Sequence, residues 1–508
     1  MKTNDWLRIL AMMVGAGFVL LFLFLVLRRL AYPFELTWIE SYMYAPLRQR
    51  MLGLSIYQET SFDYTSCNYP PLYFNLAGLV GGVFGLRPES ISFFPMRLVS
   101  AFASSGIFLA VLWVARFCRK ARWTVVIALA SVYLAAFGRF EGWLDASRVD
   151  ALMCLFFFLA TTFMLEGKGW TSAAISGCFA GLAGLTKQPA LVYIAGIGLF
   201  MAVVHRQWGR IALIGGIAAV VIFSYLSLTG DLFNRHFYYW LFEIPSHHPR
   251  HWRLIWNGLG FLAVTVPILV VVGLSPARAV LKNLRSLDVW RVLPSWTAAL
   301  AITTVFTLLL RTKVGASINF FMPVFVLAQV AFVEAANRLL AKRPRLETAL
   351  GFGLIAQLLM LSYSPTSFLP TAADAREAKR IVASVAAVDG PVWFGTFPSY
   401  AALAGKPWTL HDAGRLDLPP AFVASELSKA IENGRYGAFV LPADETLVED
   451  GVLSKHYQAI QLPVDPPPFL RSLHGVHFHG LIHVRRDLVP SFLQRAQPLF
   501  TDPVTPVR

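Results

Sequence analysis

Acidic side chains are scarce in this sequence, and their placement indicates where chemistry could occur. Only 29 of the 508 residues are Asp or Glu, and almost none falls in the middle of an apolar run. A carboxylate placed beside such a run, at the mouth of a helical bundle, can act as general base for an acceptor hydroxyl. We therefore take Glu40 and Asp150 as candidate catalytic acids, with Glu40 as the base.

Each of these acids also has an ordinary structural explanation. Glu40 could be a solvated loop acid or the N-cap of the segment that follows it. Asp150 could interact favourably with a helix N-terminus as a first-turn acid. The aromatic neighbours of the site, Tyr44 and Tyr69, could stack on a sugar ring or belong to an interfacial aromatic belt.

Basic residues in the predicted external loops suit an anionic ligand such as a phosphate. Arginine binds phosphate by paired hydrogen bonds and lysine as a compact charge. Lys187 lies between two apolar stretches, where an idle charge is costly. Arg148 could simply pair with Asp150, and the last two residues of the set could anchor a helix end. The predicted phosphate- or substrate-binding residues are Arg148, Lys187, His247, His248, Arg250, Arg311 and Lys313.

The elements that must position these residues are membrane helices. The chain is 56% hydrophobic and 14% charged, whereas soluble proteins carry about 25% charged residues. Residues 1–366 therefore form a predicted membrane domain of about eleven spans. After the first run, Leu7–Leu27, the predicted spans are Met96–Phe117, Trp123–Gly138, Val149–Leu165, Thr171–Thr186, Pro189–Val204, Ile211–Leu228, Gly258–Leu274, Leu293–Leu310, Ile318–Ala336 and Leu346–Tyr363.

The distribution of basic residues predicts the orientation of the chain. The clusters Arg116–Arg122, Arg206–Arg210, Arg278–Arg291 and Arg338–Arg345 all face the cytoplasm if the short run Leu72–Leu86 lies on the membrane surface. The N-terminus is then cytoplasmic, and loops 28–95 and 139–148 are external. The net charge of +15 is explained by these clusters and by an anionic ligand, so we predict no nucleic-acid partner.

Beyond residue 366 the sequence predicts a separate external α/β domain. Helical patterns alternate with the buried strand patterns "PVWFG" and "YGAFVLP" over residues 371–485, and residues 486–508 read as a proline-rich tail. The histidine-rich stretches "SHHPRHWR" and "HGVHFHGLIH" lack cysteine and a well-placed acid. We therefore predict no firm metal or other cofactor.

Several motifs resemble those of the GT-C glycosyltransferases, in the protein O-mannosyltransferase and aminoarabinose-transferase branch. "ESYMYAPLRQRML" (Glu40–Leu52) is similar to the first-loop acid motif of that family, although the usual Asp-Glu pair is here Glu40-Ser41. "YPPLYF", "SRVDALMCLFFFLA", "GLTKQPAL" and "RTKVGASINFFMPVF" follow in the family's order. The resemblance implies an inverting transferase that uses a polyprenyl-phosphate sugar as donor.

The sequence thus predicts an integral-membrane glycosyltransferase with a GT-C-like helical fold and an external active site. Its partners would be a polyprenyl-phosphate-linked sugar, membrane lipids, and a glycan, lipid or protein acceptor. A bacterial inner or plasma membrane is the expected location. The alternatives are a lipid or saccharide flippase or transporter, which would need polar groups near the membrane midplane, and a scaffold subunit of an envelope complex.

Overall fold

The structure is a computed structural model that describes residues 5–59, 61–64, 68–278, 290–441, 450–462 and 481–501. Helices dominate as far as residue 360, as the apolar runs predict. The helices of this part are α1 (Asp5–Leu30), α2 (Glu40–Met51), α3 (Leu72–Val83), α4 (Phe94–Trp113), α5 (Trp123–Ala135), α6 (Asp150–Leu165), α7 (Gly169–Thr186), α8 (Pro189–Val204), α9 (Trp208–Leu228), α10 (Arg235–Tyr238), α11 (Ile244–His247), α12 (Leu254–Thr265), α13 (Pro267–Leu274), α14 (Ser295–Arg311), α15 (Met322–Lys342) and α16 (Glu347–Met360).

The chain has the fold of a polytopic membrane protein, because long apolar helices recur along it. By length and composition, four helices of the described residues can cross a membrane, or six if each of two bent pairs counts as one span. Five shorter apolar helices, α3, α5, α6, α8 and α14, accompany them. The number of about eleven spans stays a prediction.

The prediction of one continuous span over Gly258–Leu274 is wrong. This run is divided into α12 and α13, which meet at an angle of 98°. Val266 leaves the helical conformation at the junction, with φ −135° and ψ 38°. Pro267 follows it and has no amide proton, so the hydrogen-bond ladder of α12 cannot continue through this position. The freed carbonyl of Thr265 accepts a hydrogen bond from Gln357 (2.5 Å).

Small residues allow the helices to pack closely. On α7, Gly177 and Gly181 face α9 four residues apart, and a Cβ at either position would lie 2.7–2.8 Å from Ile217 or Val221. This spacing brings two helix backbones together, as in small-xxx-small packing of membrane helices. A glycine at position 15 serves the same purpose between α1 and α5.

The C-terminal part of the chain forms the predicted α/β domain. Its four-stranded sheet has the order β1-β2-β4-β3, with β1 and β2 parallel and the other pairs antiparallel. Both strand patterns singled out in the sequence are strands. The elements are α17 (Ala372–Ala386), β1 (Val392–Phe394), α18 (Pro398–Leu403), α19 (Asp412–Leu416), α20 (Pro420–Glu432), β2 (Ala438–Val440), α21 (Asp450–His456), β3 (Tyr457–Gln461), β4 (Leu481–Arg485) and α22 (Val489–Thr501).

The core of this domain extends past the predicted boundary at residue 485. Helix α22 lies within the segment predicted as a tail, yet its Phe492 and Ala496 are buried in the same apolar cluster as β1, β2 and β4. The spacing of apolar residues in this segment therefore predicts its helical structure better than its prolines predict a tail. Residues 502–508 lie outside the described residues, as do His477 and His479 of the second histidine stretch; His483 lies on β4.

Candidate active site

Glu40 begins α2 and is fully buried. Its carboxylate accepts hydrogen bonds from Nε and Nη2 of Arg97 (2.9 and 2.6 Å), from the amide and hydroxyl of Ser147 (2.9 and 2.8 Å), and from the amide of Leu36 (2.7 Å). Burial opposes ionisation, but the charge and hydrogen bonds of Arg97 outweigh it and hold the pKa of Glu40 below its usual value. The acid is therefore a buried, fully bonded ion-pair partner.

The partner of Glu40 is itself held by backbone. Besides the carboxylate, the Arg97 guanidinium donates to the carbonyls of Arg29 (3.2 Å), Tyr32 (2.6 Å) and Phe34 (2.6 Å). These carbonyls belong to the end of α1 and the chain that leads into α2. The ion pair thus fastens the segment between α1 and α2 to α4.

A second buried acid, Glu35, lies behind α2 and contacts the C-terminal domain. Its carboxylate accepts hydrogen bonds from the hydroxyls of Ser41 and Ser399 and from the amide of Ser41 (3.2 Å). Burial raises the pKa of Glu35 from 4.5 to about 8, because these neutral donors compensate only part of the lost hydration. Glu35 therefore joins the first loop to α18 as a largely protonated carboxyl group below pH 8.

Three of the predicted site residues meet at the start of α6. Asp150 is 1% exposed and accepts from Nζ of Lys187 (2.6 Å), Nε of Arg148 (3.0 Å) and the amide nitrogen of Asn319 (2.7 Å). Lys187 follows the last residue of α7 and is buried, with the ring of Tyr69 beneath its ammonium group at 5.3 Å. We call Arg148, Asp150, Lys187 and Asn319 the mouth cluster.

The mouth cluster carries one more positive than negative charge, and one of its polar atoms is unused. Arg148 also stacks on Trp143, with its guanidinium carbon 3.8 Å from the ring centroid. The carbonyl oxygen of the Asn319 side chain is buried and has no hydrogen-bond partner among the described residues. A buried group of this kind costs free energy unless a ligand or water satisfies it. The cluster therefore has capacity for a polar, anionic ligand.

A run of contacts connects the mouth cluster with α2. Gln188, next to Lys187, donates to the carbonyl of Asn68 (2.9 Å). The side chain of Asn68 in turn lies 3.4 Å from the hydroxyl of Tyr42 on α2, and that hydroxyl lies 3.4 Å from a carboxylate oxygen of Asp417. The first loop, the start of α8 and the C-terminal domain therefore border the same region.

The segments that follow α11 and α14 close the other side of this region. His248 is hydrogen-bonded to Asp417 (2.9 Å), which joins the loop after α11 to the C-terminal domain. Lys313 donates to the carbonyl of Pro245 (2.9 Å), and it forms a β-bridge with Arg250. The segment after Arg311 then reaches Asn319 and the mouth cluster.

Other predicted residues have contacts outside the mouth cluster. The hydroxyl of Tyr44 donates to the carbonyl of Ser90 (3.1 Å), and its ring packs against Phe93 and Trp408. Arg311 donates to the carbonyl of Ala316 (2.5 Å), where it shapes the loop. His247 is exposed. Their roles in ligand binding stay predictions.

Sequence reasoning missed Arg97, Asn319, Glu35 and Asp417 as parts of this arrangement. Arg97 left a signal, since it is a lone charge at the start of an apolar run, where an ionisable residue usually has a partner. Asn319 lies inside a motif that was recognised, but nothing marked this residue. Asp417 comes from the C-terminal domain, and its position beside His248 follows only from the packing of that domain.

An apolar groove of about 420 Å³ lies near the start of α6. Helices α3, α4 and α6 form it, and α6 contributes Leu152, Leu155 and Phe156. These residues lie within the first two turns after Asp150, so the groove begins within about 10 Å of the cluster along the helix axis. At about 100° of rotation per residue, these three side chains project from the face of α6 opposite Asp150, so the groove and the mouth cluster lie on different sides of this helix.

The arrangement of the helical bundle and the small C-terminal domain matches that of two solved structures. ArnT from Cupriavidus metallidurans, in a crystal structure with bound undecaprenyl phosphate, matches with a TM-score of 0.54 at 15% identity, over 95% of this chain and 98% of that one. The archaeal oligosaccharyltransferase AglB from Archaeoglobus fulgidus, in complex with an inhibitory peptide and a dolichol-phosphate, matches with a TM-score of 0.54 at 10% identity, over 97% of this chain and 77% of that one. At these identities the likeness establishes the fold.

Sequence comparison gives a narrower match. Residues 47–235 match the family described as predicted membrane protein (DUF2142). That segment runs from α2 to the start of α10, and it includes Arg148, Asp150 and Lys187. No curated protein sequence matches the chain.

Proposed function

We propose that the protein is an integral-membrane glycosyltransferase that moves a sugar from a polyprenyl-phosphate donor to an acceptor hydroxyl at the external membrane face. The observation that carries the proposal is the mouth cluster, in which a buried carboxylate is held between a lysine and an arginine. The GT-C fold supports it, because the matched structures of ArnT and AglB were solved with polyprenyl phosphates. The motifs over residues 40–325 support it independently.

Lys187 and Arg148 would hold the donor phosphate. The charge of that phosphate grows as the sugar leaves, and cations already in place stabilise such a transition state most. Lys187 needs little reorganisation, since it lies at the break between α7 and α8 with one carboxylate partner. The unused oxygen of Asn319 would accept a hydrogen bond from a sugar hydroxyl.

Asp150 is the acid we assign to proton transfer. When the donor phosphate shares Lys187 and Arg148, Asp150 loses part of its compensation and becomes a better proton acceptor. The acceptor oxygen then bonds to the anomeric carbon, its proton passes to Asp150, and the bond between that carbon and the phosphate oxygen breaks. The electron pair leaves with the polyprenyl phosphate. Glu40, the acid favoured by the sequence, would position the first loop through Arg97.

The direct test is transfer of labelled sugar from a set of polyprenyl-phosphate sugars to lipid, glycan and protein fractions, with the protein in membrane vesicles. Lys187→Ala should lower transfer roughly ten- to a thousandfold, the loss expected when a cation that stabilises the transition state is removed. Lys379→Ala is the matched control, because it removes an exposed lysine from α17. Absence of transfer with every donor, together with no retention of undecaprenyl phosphate by the wild type, would refute the proposed function.

The orientation of the chain has its own test. In a variant without native cysteines, Ser425→Cys on α20 should react with an impermeant thiol reagent in spheroplasts. Ala341→Cys, at the end of α15, should react only after the membrane is permeabilised. Both positions are exposed, so reagent access depends on the side of the membrane. The reverse labelling pattern would place the mouth cluster in the cytoplasm and exclude an external reaction.

A further inference from the structure

A polar cavity of about 800 Å³ lies at the end of the helical bundle opposite the mouth cluster. Its walls come from the end of α6, the starts of α7, α9 and α14, the end of α8 and the last turns of α15. Since α6 has 16 residues between Asp150 and this end, about 24 Å separates the two sites along the helix. The predicted orientation places this cavity on the cytoplasmic side.

The cavity is strongly basic. Five cationic side chains line it against two carboxylates: Arg119, Lys168, Arg210, Arg291 and Arg338 against Glu166 and Glu334. Arg119 forms ion pairs with both acids, at 3.1 Å for Glu334, which leaves the charge of one carboxylate to be offset by the other four cations. The remaining cations give the cavity a surplus of positive charge.

Several donors at the cavity have no partner. The Nε of Arg119, the Nε of Arg210 and the Nε2 of His205 are buried and make no hydrogen bond within the described residues. The other guanidinium nitrogens of Arg210 are used, by Gln207 (2.9 Å) and by the carbonyl of Gly167 (2.9 Å), which fixes its orientation. Buried donors left open on oriented side chains are suited to an anionic acceptor.

Three helix N-termini converge on the same cavity. The lining includes Gly169 at the start of α7, Gln207 before α9 and Ser295 at the start of α14. The residue that precedes each of these helices does not cap it with its side chain, but the amide of Trp296 in the first turn of α14 donates to the carboxylate of Glu334 (3.3 Å). The first amide groups of a helix carry partial positive charge and bind phosphate oxygens readily. Helix termini and cationic side chains therefore favour the same kind of ligand.

We propose that this cavity is a binding site for a phosphate-bearing ligand, separate from the mouth cluster and independent of the proposed reaction. A surplus of cations on a cytoplasmic surface alone is explained by membrane topology. Topology does not explain why two arginines of the cavity have buried Nε atoms without a partner in the described structure, or why three helix N-termini meet at the same place. The shared chemistry is a phosphate group, which an anionic lipid headgroup or a soluble phosphate compound can supply.

Native mass spectrometry of the full-length protein in neutral detergent tests the proposal with two probes, sodium pyrophosphate and dioctanoyl phosphatidylglycerol. At least one probe should form a saturable one-to-one complex. Combining Lys168→Gln with Arg338→Gln should raise its Kd about tenfold or more, as expected for losing charged hydrogen bonds. Neither side chain has a hydrogen bond in the described structure that folding would lose. Arg345→Gln is the matched control, because this exposed arginine belongs to the same basic cluster and lies outside the cavity.

The pattern of binding identifies the source of the phosphate. Binding of pyrophosphate with the expected loss in the double variant indicates a soluble phosphate compound. Binding of phosphatidylglycerol alone, with the same loss, indicates a lipid headgroup. The proposal is wrong if neither probe binds, if the double variant binds like the wild type, or if Arg345→Gln weakens binding as much.

Discussion

Glu40 and Asp150 are both buried acids at the start of a helix, but they differ in the groups that surround them. Glu40 accepts five hydrogen bonds, and Arg97, its only cationic partner in the described structure, is tied to three backbone carbonyls. In the described structure, Asp150 is hydrogen-bonded only to side chains. One of them, Lys187, ends in an ammonium group on an unbranched chain, and another, Asn319, has a carbonyl oxygen without a hydrogen-bond partner. The first arrangement cannot change without breaking the loop that it holds. The second can exchange a partner for a ligand.

This difference distinguishes an acid that supports the fold from an acid that can take part in a reaction. A buried ion pair whose hydrogen-bonding atoms are all occupied adds specificity to a fold, but it leaves no donor or acceptor for a substrate. A cluster with surplus positive charge and an atom that lacks a hydrogen-bond partner can bind a substrate. Sequence motifs cannot make this distinction, because both acids begin a helix beside an apolar run.

The largest effect should come from Asp150→Asn. Without the proton acceptor of the proposed reaction, transfer should fall roughly a hundred- to ten-thousandfold, measured as labelled sugar transferred per folded molecule. Asp145→Asn is the matched control, because Asp145 is equally buried and paired with Arg29 (2.9 Å), outside the mouth cluster. Equal losses in the two variants would remove the distinction between the clusters.

Glu40→Gln should act mainly on stability. It leaves the buried Arg97 without its carboxylate, which should lower the free energy of unfolding by about 3–5 kcal/mol, while transfer per folded molecule stays within about tenfold of the wild type. Thermal unfolding and transfer assays on the same preparation measure both, with Glu89→Gln as an exposed first-loop control. An unchanged melting temperature with a hundredfold loss of transfer would instead make Glu40 the general base.

The smallest effect, for each unit of pH, should be the pH dependence of stability caused by Glu35. Its pKa is about 8 in the folded protein and near 4.5 when exposed, so between these values the folded state binds a proton that the unfolded state releases. Stability should therefore decrease as the pH rises through this window, by at most about 1.4 kcal/mol per pH unit. Glu35→Gln should flatten the dependence of melting temperature on pH. Parallel curves for wild type and variant would show that Glu35 is ionised in the fold.

Much of the architecture was predictable from the sequence. Apart from the bent pair α12–α13, each predicted apolar run coincides with a helix, because burial in a membrane requires long stretches of apolar residues with internally satisfied backbone. The strands at residues 392–394 and 438–440 were also predictable, since short apolar runs bounded by glycine and proline indicate buried strands. The bend at Val266 was less predictable, because a proline within a span can have several structural consequences.

The site was predictable only in part. Asp150, Arg148 and Lys187 were identified because charges beside apolar runs are costly and so need a partner or a ligand. That these three share one cluster, that Glu40 instead binds Arg97, and that Asp417 reaches His248 were decided by packing between elements far apart in the chain. Residue types and spacing determined which groups could do chemistry. Only the tertiary structure decided which of them are already saturated, because hydrogen-bond partners separated by 57 or 169 residues leave no periodic signal.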